Sequence, residues 1–62
     1  MKLTINTPET GDWTVVQDED GNIVYEGHDR WSSLVVSILE LANDTVDTEF
    51  IEWPDDVFEE TF

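Results

Sequence analysis

The sequence predicts a small α+β domain: an antiparallel sheet of about four strands with one helix packed across it, in the order βββαβ, followed by an acidic C-terminal tail. Three patterns carry that expectation. Apolar residues alternate with polar ones at the N-terminus, a turn-forming run separates two β-rich stretches, and apolar residues recur at helical spacing from Trp31 to Ala42.

Leu3 and Ile5 alternate with polar neighbours ahead of Thr7-Pro8-Glu9-Thr10-Gly11, which reads as a short first strand and a turn. Trp13 to Gln17 and Ile23 to Gly27 then flank Asp18-Glu19-Asp20-Gly21-Asn22. That composition suits a type I turn with Gly21 in the left-handed conformation, followed by a bulge. In this register Val15 lies opposite Tyr25 and Gln17 opposite Ile23, so Trp13, Val15, Ile23 and Tyr25 share the face expected to meet the helix. Thr14, Val16, Val24 and Glu26 occupy the other face.

Asp29 is placed to cap the helix N-terminus, and Trp31, Leu34, Val35, Ile38, Leu39 and Ala42 form the apolar face expected against the sheet. Asn43 suits the position just beyond the helix C-terminus. On the expected outer side, Ser32, Ser33, Val36 and Ser37 leave Glu40 as the one carboxylate between Trp31 and Ala42. Such a low-charge surface is either a run of small solvated residues or a contact patch for a partner or second copy.

Val46 to Trp53 reads as the fourth strand, with Val46, Thr48 and Phe50 on one side and Asp47, Glu49, Ile51 and Trp53 on the other. A bulge that switches facing partway is expected there. Pro54-Asp55-Asp56 can open a short helix carrying Val57, Phe58, Thr61 and Phe62 as a weak apolar stripe; the alternative for residues 54–62 is a frayed tail. No repeat or linker divides the chain, so residues 1–62 form a single domain.

Sixteen carboxylates against two lysine or arginine residues give 62 residues a net charge of -14. Duplex DNA carries one charge per roughly 1.7 Å of axis, so a charge of this size matches about 24 Å of duplex. The chain itself is expected to form a globule about 27 Å across, giving a comparable charge density. Three Trp, three Phe and one Tyr supply a core, which argues for folding despite the acidity. The chain has no cysteine, which removes disulfides and thiolate metal sites and fits a cytoplasmic protein. Neither a signal-peptide pattern nor an apolar run of membrane-spanning length is present. Nucleic acids and anionic membranes should repel this body, so its partner is expected to be basic.

Motifs for chemistry are weak. Setting Gly21 at the glycine position of an EF-hand loop makes Val16 the first ligand, so Asp18-Glu19-Asp20 reads as a hairpin tip and no metal is expected. His28, Asp29, Ser32 and Ser33 are ingredients of nucleophilic catalysis but too local for a relay with a buried orienting carboxylate, so no enzyme and no cofactor are expected. Asn43-Asp44-Thr45 matches a glycosylation sequon, discounted without a secretion signal.

The carboxylates gather at the hairpin tip and in the last segment, where Asp44, Asp47, Glu49, Glu52, Asp55, Asp56, Glu59 and Glu60 lie. On an extended strand Asp47 and Glu49 stand about 6.6 to 7 Å apart on one side, a charged row with no chelate geometry. The acidic segment is expected to bind the partner, with Asp18, Glu19 and Asp20 as a second patch and Trp53, Phe58 or Phe62 as apolar anchors. The competing explanation is a salt-adapted structural or interaction module whose acidity serves solubility.

In size, in the Trp13-to-Gly27 hairpin, the Trp31-to-Ala42 helix and the acidic Asp44-to-Glu60 segment, the chain resembles small acidic anti-CRISPR proteins that phages and mobile elements encode. That resemblance rests on size, charge and layout. It implies a DNA mimic in the host cytoplasm that binds a subunit of a type I CRISPR effector complex and prevents recognition of the protospacer-adjacent motif. Acidic inhibitors of restriction enzymes or of uracil-DNA glycosylase use the same electrostatic logic on other folds.

Overall fold

The computed structural model describes all residues, Met1–Phe62. Strands β1 (Lys2–Pro8), β2 (Trp13–Gln17) and β3 (Ile23–His28) are followed by a 3₁₀ turn (Asp29–Trp31), helix α1 (Ser32–Ala42), strand β4 (Asp47–Trp53) and helix α2 (Asp55–Thr61). The sheet order is β3-β2-β1-β4. The α+β class and the strand order along the chain are as the sequence predicts, and residues 55–61 take the short helix that is one of the two readings of the C-terminal segment, but the sheet is mixed where an antiparallel one is expected.

β1 pairs antiparallel with β2 and parallel with β4. The reversal is a matter of connectivity: α1 carries the chain from the end of β3 back to the start of β1, so β4 leaves in the same direction as β1. A clamp fixes that start, with the Met1 ammonium donating to the Thr45 carbonyl and Asp47 N donating to the Met1 carbonyl, both at 2.9 Å. The register from Lys2↔Asp47 to Pro8↔Trp53 is continuous, so β4 carries no bulge and does not switch facing.

Both faces of the sheet are covered in part. Leu3, Ile5 and Val16 meet Val36 of α1 on one face, with Tyr25, Leu39 and Val46 packed around them. Alternation puts Asn6, Val15, Ile51 and Trp53 on the other face, where Phe58 of α2 is buried. Val15 and Val16 are therefore both fully buried although they point opposite ways.

The hairpin turn forms as its residues dictate. Asp18 Oδ1 accepts from the backbone N–H groups of Asp20 and Asn22, each at 2.9 Å, and Gly21 takes φ 84°. Gln17 pairs with Ile23 as expected, but a second irregularity pairs Val16 with Tyr25 and Val15 with Glu26. Val24 is the extra residue, so the α1 face of the hairpin carries Val16 and Tyr25 in place of Val15 and Tyr25.

Helix α1 is rotated from its expected setting. Val36 is its one buried residue, while Trp31, Leu34 and Ile38 are each slightly more than half exposed and Ala42 is exposed. Two local causes fit this rotation. The chain enters α1 through a 3₁₀ turn, whose tighter winding shifts the helical phase. Tyr25 also folds along its own strand over Gly27, its hydroxyl donating to the His28 carbonyl at 2.8 Å, and takes sheet surface that a large helical side chain would otherwise cover. Asp29 does not cap the helix: His28 Nδ1 accepts from Arg30 N at 3.3 Å, and the Asp29 carboxylate lies 3.1 Å from that ring nitrogen. At the other end Asn43 is extended (φ -128°), and its side-chain amide donates to the Leu39 carbonyl at 2.8 Å.

Candidate partner-binding surface

Residues 54–62 fold onto the sheet. Asp55 and Asp56 stand in the first turn of α2, where carboxylates complement the exposed N–H groups, and Asp55 Oδ1 accepts from Thr10 N at 3.2 Å, tying the helix to the β1–β2 turn. Phe58 and Phe62 turn inward with ring centroids 5.0 Å apart, and Phe62 meets Trp53 edge-on at 5.8 Å. Of the three expected aromatic anchors, Phe58 is 6% exposed and belongs to the core, whereas Trp53 and Phe62 are half-buried.

The expected acidic residues divide by face. Asp47 and Glu49 share the face that α2 covers, in register with Lys2 and Thr4, and Lys2 Nζ lies 3.8 Å from Glu49. Glu52 projects to the opposite face, and Asp44 lies in the connection between α1 and β4. On α2, Asp55 and Glu59 are four residues apart and rim one side of a cleft, while Asp56 and Glu60 form a second column. At the hairpin tip Asp18 is occupied by the turn, leaving Glu19 and Asp20 exposed. Because β2 runs against β1, this tip stands at the end of the sheet where Lys2 and Asp47 begin, and α2 stands at the other end.

The cleft beside α2 has a volume of about 430 Å³ and an aromatic wall of Trp13, Phe58 and Phe62 with Asp12, Asp55 and Glu59 at its rim. Trp13, expected on the face that meets α1, stands with Val15 on the opposite face and lines this cleft, because the extra residue Val24 changes which hairpin residues share a face with Tyr25. Asp12 is not among the expected site residues, and Gly11 (φ 76°) turns the chain just before it. Elsewhere, Ser32 Oγ donates to the Asp29 carbonyl at 2.7 Å, so its hydroxyl proton is engaged by the backbone. No group of three or more His, Asp or Glu residues converges in a metal-holding arrangement.

Of the sixteen carboxylates, two have a cationic partner: Glu49 with Lys2, and Asp29 with His28 when that ring is protonated. The domain measures 36 × 23 × 14 Å. Its 36 Å length exceeds the globule expected from chain length, so a net charge of -14 amounts to one charge per about 2.6 Å (36/14), against about 1.7 Å for a duplex. Comparison with known proteins finds no matching family model, no matching curated protein and no matching solved structure.

Proposed function

We propose that this chain is a non-enzymatic mimic of duplex DNA that occupies the basic groove of a host DNA-binding complex, with a type I CRISPR effector as the preferred target. The observation that carries this reading is the near absence of cations beside the carboxylates. At least fourteen carboxylates without an ionic partner repel one another across the sheet, and that repulsion is relieved when lysines and arginines of a partner come within a Debye length. The 23 Å middle dimension is close to the width of a duplex, so the body suits a DNA channel. Asp47, Glu49, Asp55, Asp56, Glu59 and Glu60 supply the principal charge, with Glu19 and Asp20 of the hairpin tip at the end of the sheet where Asp47 begins. Half-buried Trp53 and Phe62 border this surface and supply apolar contact.

Acidic inhibition of a restriction enzyme or a DNA glycosylase rests on the same charge and differs only in target. A salt-adapted module is favoured by a separate observation: Glu9, Glu26 and Glu40 are exposed outside either patch. Capture from lysate at physiological salt, followed by challenge with duplex DNA, separates these readings. Recovery of a nucleic-acid-binding complex that DNA displaces supports mimicry and identifies the target; a folded bait that recovers no basic partner overturns it.

A further inference from the structure

We propose that α1 is a dimerisation helix whose outward seam of Trp31, Leu34, Ile38 and Leu41 packs antiparallel against the same seam of a second copy of this chain. The spacing is three, four and three residues, the a/d pattern by which two helices interlock. At about 100° per residue Leu34, Ile38 and Leu41 of α1 fall within an arc of about 60° on the side away from Val36, the residue that anchors α1 to the sheet, and Trp31 precedes them in the 3₁₀ turn. Trp31, Leu34 and Ile38 are 53%, 52% and 55% exposed, and Leu41 is 90% exposed. A helix that turns a tryptophan, two leucines and an isoleucine to solvent has an apolar face that its own sheet does not use.

Area and charge both select a second copy as the occupant. Four large apolar side chains, each half-exposed or more, bring the seam toward the roughly 500 Å² per partner that the smallest specific interfaces need. A two-fold interface must be self-complementary, which for a chain of net charge -14 requires a surface free of carboxylates. Between Trp31 and Ala42 the one carboxylate is Glu40, which lies about 140° around the helix from the seam centre. Antiparallel packing sets Trp31 against Leu41 of the second copy and Leu34 against Ile38. It also brings Arg30, which makes no ion pair within its own chain, toward Asp44 of the second copy, just past the end of that α1. The acidic sheet ends and α2 remain free on the outside of the pair.

This inference is independent of any target. Sedimentation equilibrium of the full chain should give twice the 7.2 kDa chain mass, with association tightening as salt rises from about 0.15 M because screening removes repulsion between the two bodies. Leu41→Gln changes a residue with almost no contact to its own fold, so it should leave circular dichroism unchanged and raise the dimer dissociation constant about tenfold or more. Ile38→Gln should act in the same direction. A monomer at every salt concentration, a dimer that both substitutions leave intact, or a seam that captures only a different protein would overturn the proposal.

Discussion

The indole Nε1 of Trp53 donates to Asn6 Oδ1 at 2.9 Å, joining the parallel strands β4 and β1 on the face that α2 covers. Asn6 is fully buried, and its amide nitrogen donates to the Val15 carbonyl at 3.1 Å and to Gln17 Oε1 at 3.0 Å. One side chain thus ties β1 to both of its neighbours. Asn6→Leu removes all three bonds and leaves the Trp53 N–H without its acceptor, which should cost about 2 to 4 kcal/mol. Trp53→Phe removes one donor and should cost less, about 1 to 2 kcal/mol. Urea denaturation of both variants tests the ranking; equal losses would show that Asn6 is no hub.

Phe58 is the residue through which the acidic helix and the fold depend on each other. Truncating a buried phenylalanine typically costs about 3 to 5 kcal/mol, and a domain of this length has about 3 to 9 kcal/mol in total. Phe58→Ala should therefore remove about a third or more of the total stability, and α2 with its four carboxylates should loosen from the sheet. The check is loss of near-ultraviolet dichroism in the variant. Retention of native stability would mean that α2 is a loose appendage, and the carboxylates on it would no longer form a fixed array.

The hairpin tip separates conformational cost from packing cost. Gly21 has φ 84°, and a Cβ added there would meet nothing within 4 Å. Gly21→Ala should accordingly cost about 1 to 2 kcal/mol from backbone strain alone, and Gly21→Asn less, because asparagine tolerates the left-handed region. Thermal unfolding of the two variants measures the difference; equal stability of alanine and glycine would rule out a strained turn.

This tip was also the most legible part of the sequence, because Asp18 and Gly21 act locally. The four strands and α1 were legible for the same reason, through alternation and helical spacing. Three features were hidden because they depend on partners distant in the chain. The parallel pairing of β4 has the same side-chain period as an antiparallel one, so no residue between Asp47 and Trp53 announces it. The extra residue Val24 carries no glycine signal, yet it exchanges Val15 for Val16 beneath α1. Apolar residues extend so far around α1 that spacing favoured the side with Trp31, Leu34 and Ile38, while Val36, set among serines, became the core contact. At the candidate surface the acidic residues were legible individually. Their division between the two faces and the use of Phe58 as a core residue were not.

Salt gives the prediction on which the mimic and the salt-adapted module differ most. Repulsion among exposed carboxylates acts over a Debye length of about 30 Å at 0.01 M salt, comparable to the whole domain, and of about 8 Å at 0.15 M. Raising sodium chloride across that range should increase the melting temperature by several degrees, about 1 kcal/mol for a domain this small. Most of the gain should be complete near physiological ionic strength, since carboxylates farther apart than the screening length no longer sense one another. A mimic must be folded under the conditions where it meets its target, so the chain should already be native at about 0.15 M and its binding to a basic partner should weaken as salt rises further. A salt-adapted module should instead continue to gain stability into the molar range and lose its structure below it. A melting series from low to molar salt, read by dichroism, distinguishes the two: a requirement for molar salt would remove the basis for mimicry, and a plateau near physiological salt would remove the basis for the alternative.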